Sequence, residues 1–155
     1  MADSRAWDER YRRGEQADGS PDPFLAAASD LWGPGRAALD VACGAGHNAR
    51  FLAASGFSVT ALDWSEEALR LTSERCADLD VRTERADLEA EGAGLGDERY
   101  DIVCVVRFLH RPLFAALRQA VKPGGLVVYR TFTTRRLEAS SAGPRDPRFL
   151  LEPGE

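Results

Sequence analysis

The most constraining feature of the chain is a glycine turn between two periodic segments, Asp40-Val-Ala-Cys-Gly44-Ala-Gly46. Before it, Ala37-Ala-Leu-Asp-Val41 is a short apolar run, the pattern of a strand buried on both faces of a parallel sheet. After it, residues 47–55 place Ala49, Leu52 and Ala53 on one helical face, with Gly56 as the stop. Two glycines between strand and helix let the backbone turn sharply and approach a ligand with no Cβ in the way. The helix that follows offers free amides to an anionic group.

The alternation continues downstream. Phe57, Val59 and Ala61 alternate with Ser58 and Thr60 in a second strand that ends on Asp63. Ser65 caps a helix running to about Cys76, with Glu66 and Glu67 at its positive end. Residues 81–86 read as a weaker third strand leading into Asp87-Leu-Glu89, and residues 89–99 as an acidic, glycine-rich loop. Tyr100–Val106 is a buried fourth strand. Pro112 opens a helix with Phe114, Leu117 and Val121 on one face, Lys122-Pro-Gly-Gly125 ends it, and residues 126–132 form a fifth strand. This order predicts an α/β fold, a doubly wound parallel sheet of five strands with helices on both faces. Residues 1–35 read as an N-terminal helical cap, with short helices near Trp7–Arg13 and Phe24–Leu31. Residues 36–133 form the core, and residues 134–155 a polar tail in which Arg135 and Arg136 fall in a solvated, mobile loop.

The 155 residues suit one domain, and 44% apolar with 29% charged residues is ordinary for a globular chain. A net charge of -5 argues against a protein that grips nucleic-acid backbones. No apolar run is long enough to span a membrane, and the charged N-terminus is unlike a secretory signal. Cys43, Cys76 and Cys104 are far apart, and with only His47 and His110 beside them no metal site is expected. Reduced thiols in a cytoplasmic protein are the expectation.

Two nucleotide cofactors compete for the glycine turn. Read on to Ala49, it also fits a dinucleotide-binding pattern, which would make the chain an NAD(P)-dependent oxidoreductase. Asp63 suits either cofactor, since a carboxylate there accepts hydrogen bonds from ribose hydroxyls. Asp40 tilts the balance: an acid four residues before Gly44 suits the ammonium of S-adenosylmethionine and repels a pyrophosphate. Asp87 and Leu88 after the third strand, and Lys122-Pro-Gly-Gly125 before the fifth, point the same way.

With these residues in place the chain resembles the class I, Rossmann-like, S-adenosylmethionine-dependent methyltransferases. Within them it is similar to the small bacterial group related to tellurite-resistance and thiopurine methyltransferases. The resemblance rests on Trp7-Asp-Glu-Arg-Tyr11, Asp40–Gly46, Ala61-Leu-Asp-Trp-Ser65, Ala86-Asp-Leu88, Tyr100-Asp-Ile-Val103 and Lys122-Pro-Gly-Gly125, in that order. It implies that Ala42, Gly44 and Gly46 line the methionine end of the cofactor, and that Asp40 reaches the ammonium group. Asp63 would hold the ribose, Trp64 would lie against the adenine, Asp87 and Leu88 would recognise its edge, and Val106 would complete the pocket. For Trp64 and Leu88, core packing is an equal alternative.

Methyl transfer from a sulfonium is an in-line displacement that needs mainly alignment, so the absence of a catalytic triad is no objection. Val106-Arg-Phe-Leu-His-Arg-Pro112 follows the fourth strand, where an acceptor is expected. Arg107 and Arg111 are candidates to hold an anionic small-molecule or metalloid substrate. His110 is the candidate base, with Arg107 beside it in a catalytic role. The alternatives are that His110 caps the next helix and that the arginines bridge surface acids. Trp7 and Tyr11 are candidate substrate-side residues, since the N-terminal segment of related proteins closes over the cofactor.

Two departures stand out. Arg130 lies where the look-alikes lead one to expect Glu. Five strands are counted where the resemblance implies seven, with no counterpart of the usual C-terminal pair, so a homodimer covering the open edge is expected. These departures keep a non-catalytic or degenerate S-adenosylmethionine-binding subunit open as an alternative.

Overall fold

Five parallel strands form one sheet in the order β3-β2-β1-β4-β5. They are β1 (Ala37–Val41), β2 (Ser58–Asp63), β3 (Val81–Arg85), β4 (Tyr100–Val106) and β5 (Val121–Arg130). The structure is a computed structural model, and it describes residues 4–16, 19–138 and 143–155. The helices are α1 (Ser4–Arg12), α2 (Pro23–Ala27), α3 (His47–Ala54), α4 (Glu66–Arg75) and α5 (Phe114–Ala120). The doubly wound parallel sheet of five strands is therefore as the alternation requires.

Successive residues of a strand point to opposite faces, and the central strands sort themselves accordingly. Ala38, Ile102 and Cys104 feed a core with Leu25, Leu52 and Phe57 on the α3 side. Leu39, Val41, Val103 and Val105 feed a second core with Leu113, Leu117 and Ala120 on the α5 side. Asp40 falls on the α3 side, where its neighbours across the sheet are Ala61 and Cys104.

Several boundaries differ from the sequence reading. The first helix starts at Ser4 and ends at Arg12. The second stops at Ala27 and relaxes into a 3-10 turn, Ala28–Leu31, where the Ser29 hydroxyl donates to the Ala26 carbonyl. Lys122-Pro-Gly-Gly125 does not close a helix; Val121 already pairs with Tyr100, and the four residues form a bulge before Leu126 pairs with Ile102. Asp101 anchors this bulge, accepting from Lys122 Nζ at 3.1 and 3.2 Å. Pro112 opens a separate 3-10 turn, Arg111–Leu113, ahead of α5.

The described residues of the tail carry more regular structure than its composition implies. Thr134–Glu138 is a 3-10 turn in which Arg135 is exposed, as a solvated position should be, while Arg136 lies over the Phe132 ring at 4.3 Å. Leu150 is fully buried. Leu151 forms a parallel bridge with Thr133, donating to the Phe132 carbonyl and accepting from the Thr134 amide. Among the described residues no helix is long and apolar enough to cross a membrane.

Candidate functional site

The chain lays β1, β2 and β3 outward in one direction, then returns to place β4 on the other flank of β1. Strand order reverses between β1 and β4, and in such sheets ligands bind beyond the carboxyl ends at that point. The residues just past those ends are Ala42, Trp64, Ala86 and Arg107. Ala42 and Arg107 both have positive φ, 55° and 58°, although neither is glycine. Non-glycine residues are held there only when their surroundings impose it.

The glycine turn is packed tightly. Gly46 has φ 82°, and a Cβ there would lie 2.7–2.9 Å from atoms of Thr72. The Thr72 hydroxyl donates to the Gly44 carbonyl at 3.0 Å, and Arg75 Nε donates to the Ala45 carbonyl at 2.7 Å. The loop is thus clamped by α4 from below. Above Gly44, a Cβ would meet the Tyr11 hydroxyl at 3.0 Å and Gln16 Oε1 at 3.1 Å.

Two acids flank this loop. Asp40 is 1% exposed; its carboxylate accepts the Ala49 amide in the first turn of α3, and Oδ2 is buried with no hydrogen-bond partner. Burial, reinforced by the charge of Asp63, pushes its pKa up to about 8. Asp63 accepts the Gly44 amide on Oδ2 and the Ser65 amide on Oδ1, both at 2.9 Å. Burial raises its pKa too, against the lowering effect of those amides. Neither acid forms an ion pair with Lys or Arg among the described residues. One buried and one half-buried carboxyl without a cation make the site a poor place for a pyrophosphate and a good one for a positively charged group.

The N-terminal cap lies over the loop. Tyr11 is 7% exposed and packs with Ala45 and Ala68; burial raises its pKa. Asp8 accepts from the Ser65 hydroxyl at 2.5 Å and from the Glu67 amide at 3.1 Å, fastening α1 to the start of α4. Trp7 is half-buried, and one ring face already carries the Arg10 guanidinium at 4.3 Å. Further along, Asp22 caps α2 by accepting the Phe24 amide, while its own amide donates to Asn48 of α3. Arg130 meets the buried Asp22 carboxylate at 2.5 Å. The unexpected base at position 130 thus has a partner acid on the cap.

Of the remaining cofactor-side candidates, Asp87 is half-buried and accepts the Glu89 amide at 3.0 Å, and Trp64 is half-buried. Val106 is half-buried and pairs with Arg130 in register. Leu88 is 5% exposed and belongs to the α5-side core, so packing accounts for its side chain.

On the acceptor side, Arg107 is exposed and its amide donates to the Arg130 carbonyl at 2.8 Å. His110 makes no side-chain cap to the turn that follows; it lines a cleft of about 500 Å³ with Leu109, Arg111, Pro112 and Phe149. Arg111 does not stand free: it pairs with Glu155 and donates to tail carbonyls. A second hollow, around Lys122 and Gly124, lies at the amino end of the sheet, away from these residues.

Thr72, Asp8 and Asp22 are the functional-site supports that the sequence reading missed, whereas Ser65 caps α4 as expected, accepting the Ala68 amide at 3.1 Å. Only Thr72 left a trace, as a small polar residue four positions after Ala68 on a buried helix face.

Residues 38–125 match the profile of a family described as "Methyltransferase domain". A ubiquinone biosynthesis O-methyltransferase of Methylococcus capsulatus is 33% identical over 83% of this chain and 55% of its own length. An S-adenosylmethionine-dependent methyltransferase from Mesorhizobium loti superposes with TM-score 0.62 and 30% identity, over 72% of this chain and 53% of that one. A TehB-like methyltransferase from Corynebacterium glutamicum has TM-score 0.60 at 21% identity, over 80% of this chain and 70% of that one, a likeness of fold. The chain spans about half the length of the curated relatives it matches.

Proposed function

Because the chain belongs to the class I S-adenosylmethionine-dependent methyltransferases, we propose that it binds S-adenosylmethionine across the ends of β1, β2 and β3. The methyl group then passes to a small molecule at the end of β4. The observation that carries this reading is the pair of acids, buried Asp40 and half-buried Asp63, on either side of a glycine loop clamped by Thr72. An orphaned Oδ2 on Asp40 fits a cationic ammonium, and the same feature weighs against a dinucleotide.

In this reading the backbone of the Gly44–Gly46 turn borders the methionine end, with Ala42 beside it, while the missing Cβ atoms make room for Tyr11 and Thr72. Asp40 takes the ammonium and Asp63 the ribose hydroxyls. Trp64 and Asp87 border the adenine, and Val106 closes the pocket toward the acceptor. Bound S-adenosylmethionine would supply a methyl group on a sulfonium, with a neutral thioether as leaving group. Tyr11 and the rest of α1 exclude water from the loop. His110 removes a proton from a hydroxyl acceptor, a role worth about 10²–10⁴-fold, and Arg107 orients that acceptor.

The curated relatives named as ubiquinone biosynthesis O-methyltransferases favour an oxygen acceptor over a metalloid. The narrower likeness to tellurite-resistance proteins rests on a fold neighbour. Arg130 is neutralised by Asp22 and adds no free charge to the rim, which favours a catalytic chain over a degenerate subunit. A homodimer across the outer edge of β5 is part of the same proposal; a monodisperse monomer in multi-angle light scattering contradicts it.

The test is turnover: methyl-labelled S-adenosylmethionine is incubated with a panel of phenols and aromatic acids. Acceptor-dependent S-adenosylhomocysteine, lowered about a hundredfold in kcat by His110→Gln, is the expected result. Product formation by no acceptor supports the non-catalytic alternative.

A further inference from the structure

Arg111 is held as a fork. Its Nε and Nη2 meet the two carboxylate oxygens of Glu155 at 2.5 and 2.8 Å, the side-by-side arrangement that suits a planar carboxylate. Nη1 and Nη2 also donate to the carbonyls of Arg148 and Leu150, which fix the plane of the guanidinium. The cleft beside it has apolar walls from Leu109, Pro112 and Phe149, with His110 between them. Phe149 is 40% exposed, an aromatic surface turned to a hollow and not to the core. Two further charged residues line the cleft: Glu89, which opposes a second negative charge, and Arg148, whose guanidinium is already paired with Asp146.

We propose that the Arg111 fork and this cleft recognise a monoanionic methyl acceptor, a carboxylate carried on an apolar body, and that Glu155 is its internal stand-in. The inference rests on the methyl-transfer reading and names the substrate class of that site. Exchange of one carboxylate for another leaves the fork satisfied throughout, so no buried charge is stranded in between. The Arg111–Glu155 pair is itself part-exposed, and pairs of that kind are worth little. Leu150, fully buried, keeps the tail seated after Glu155 has swung away. The cleft wall formed by Phe149 therefore persists in the open state. The tail acts as a weak gate that any acceptor without a carboxylate fails to displace.

The experiment is a titration of the full chain with benzoate, followed by amide chemical shifts of residues 107–113 and 147–155. Benzamide and phenyl phosphate serve as the neutral and dianionic comparisons. Glu155→Gln is expected to bind benzoate about three- to fivefold more tightly than the parent chain, the scale of an exposed ion pair. Benzamide is expected to show no such gain, and phenyl phosphate to bind more weakly than benzoate. Adding Arg111→Gln to Glu155→Gln is expected to weaken benzoate at least about tenfold. Equal benzoate affinity in parent and Glu155→Gln chains overturns the proposal, as does an equal gain for benzamide. S-adenosylhomocysteine titrated into the same two samples reports the cofactor pocket separately. Binding of it without a benzoate response defeats this inference alone, and a benzoate response without it defeats the cofactor reading.

Discussion

The Asp63 carboxylate accepts the Gly44 amide at 2.9 Å, so the end of β2 is bonded directly to the loop that follows β1. The same side chain accepts the Ser65 amide and so orders the start of α4. Asp63→Ala leaves both amides unpaired and removes the proposed ribose contact. The expected result is about 1–3 kcal/mol lower stability in urea unfolding. Affinity for S-adenosylhomocysteine is expected to fall at least about tenfold. Unchanged affinity in a folded variant contradicts the assignment.

Asp40 gives the chain a specific pH dependence. Its pKa is about 8 in the folded chain, against an ordinary value of 3.8. Between those values the folded state keeps a proton that the unfolded state has lost, so stability falls as pH rises through this window. The raised pKa of Asp63 adds a contribution of the same sign. Asp40→Asn is expected to flatten the slope and to be more stable than the parent near pH 8. It is also expected to bind S-adenosylmethionine about tenfold more weakly, through loss of a charged partner. Unfolding curves at pH 5, 6.5 and 8 for both proteins check the sign.

Gly46→Ala is a test of the clamp under the loop. The new Cβ meets Thr72 atoms at 2.7–2.9 Å on a backbone with φ 82°, so the loop or α4 has to move. A loss of about 1–3 kcal/mol in stability is expected. Weakened S-adenosylhomocysteine binding is expected alongside it. Parent-like stability and affinity contradict the geometry of the loop.

The Arg130–Asp22 pair is expected to couple the cap to the sheet. Arg130→Gln strands a buried carboxylate, and a cost of about 1–3 kcal/mol is expected, moderated because the Arg130 side chain is 49% exposed. Asp22→Asn relieves that burden, so the double variant is expected to be more stable than Arg130→Gln alone. Additive effects in the double-mutant cycle contradict the coupling.

The strand–helix alternation and the acids at strand ends were legible because they follow from local periodicity. Ala37–Val41 and Tyr100–Val106 announce themselves as buried strands, and Asp40 and Asp63 are conspicuous for ending or interrupting apolar runs. The supports of the site were not legible, because they join residues remote in sequence. Asp8 reaches Ser65 across 57 positions, and Arg130 reaches Asp22 across 108. No period or spacing encodes such contacts. Arg130 looked like a departure in sequence because its partner is on the cap. The extent of β5 was misread for a related reason: Val121 is taken into the sheet by Tyr100, and local breakers at Pro123 and Gly124 are accommodated as a bulge.

The central claim concerns which cofactor the glycine loop holds, and calorimetric titration of the chain decides it. S-adenosylmethionine and S-adenosylhomocysteine are expected to bind with one site per chain, and NAD and NADP to give no heat above dilution. Binding of NAD or NADP, with no response to either adenosyl compound, contradicts the account.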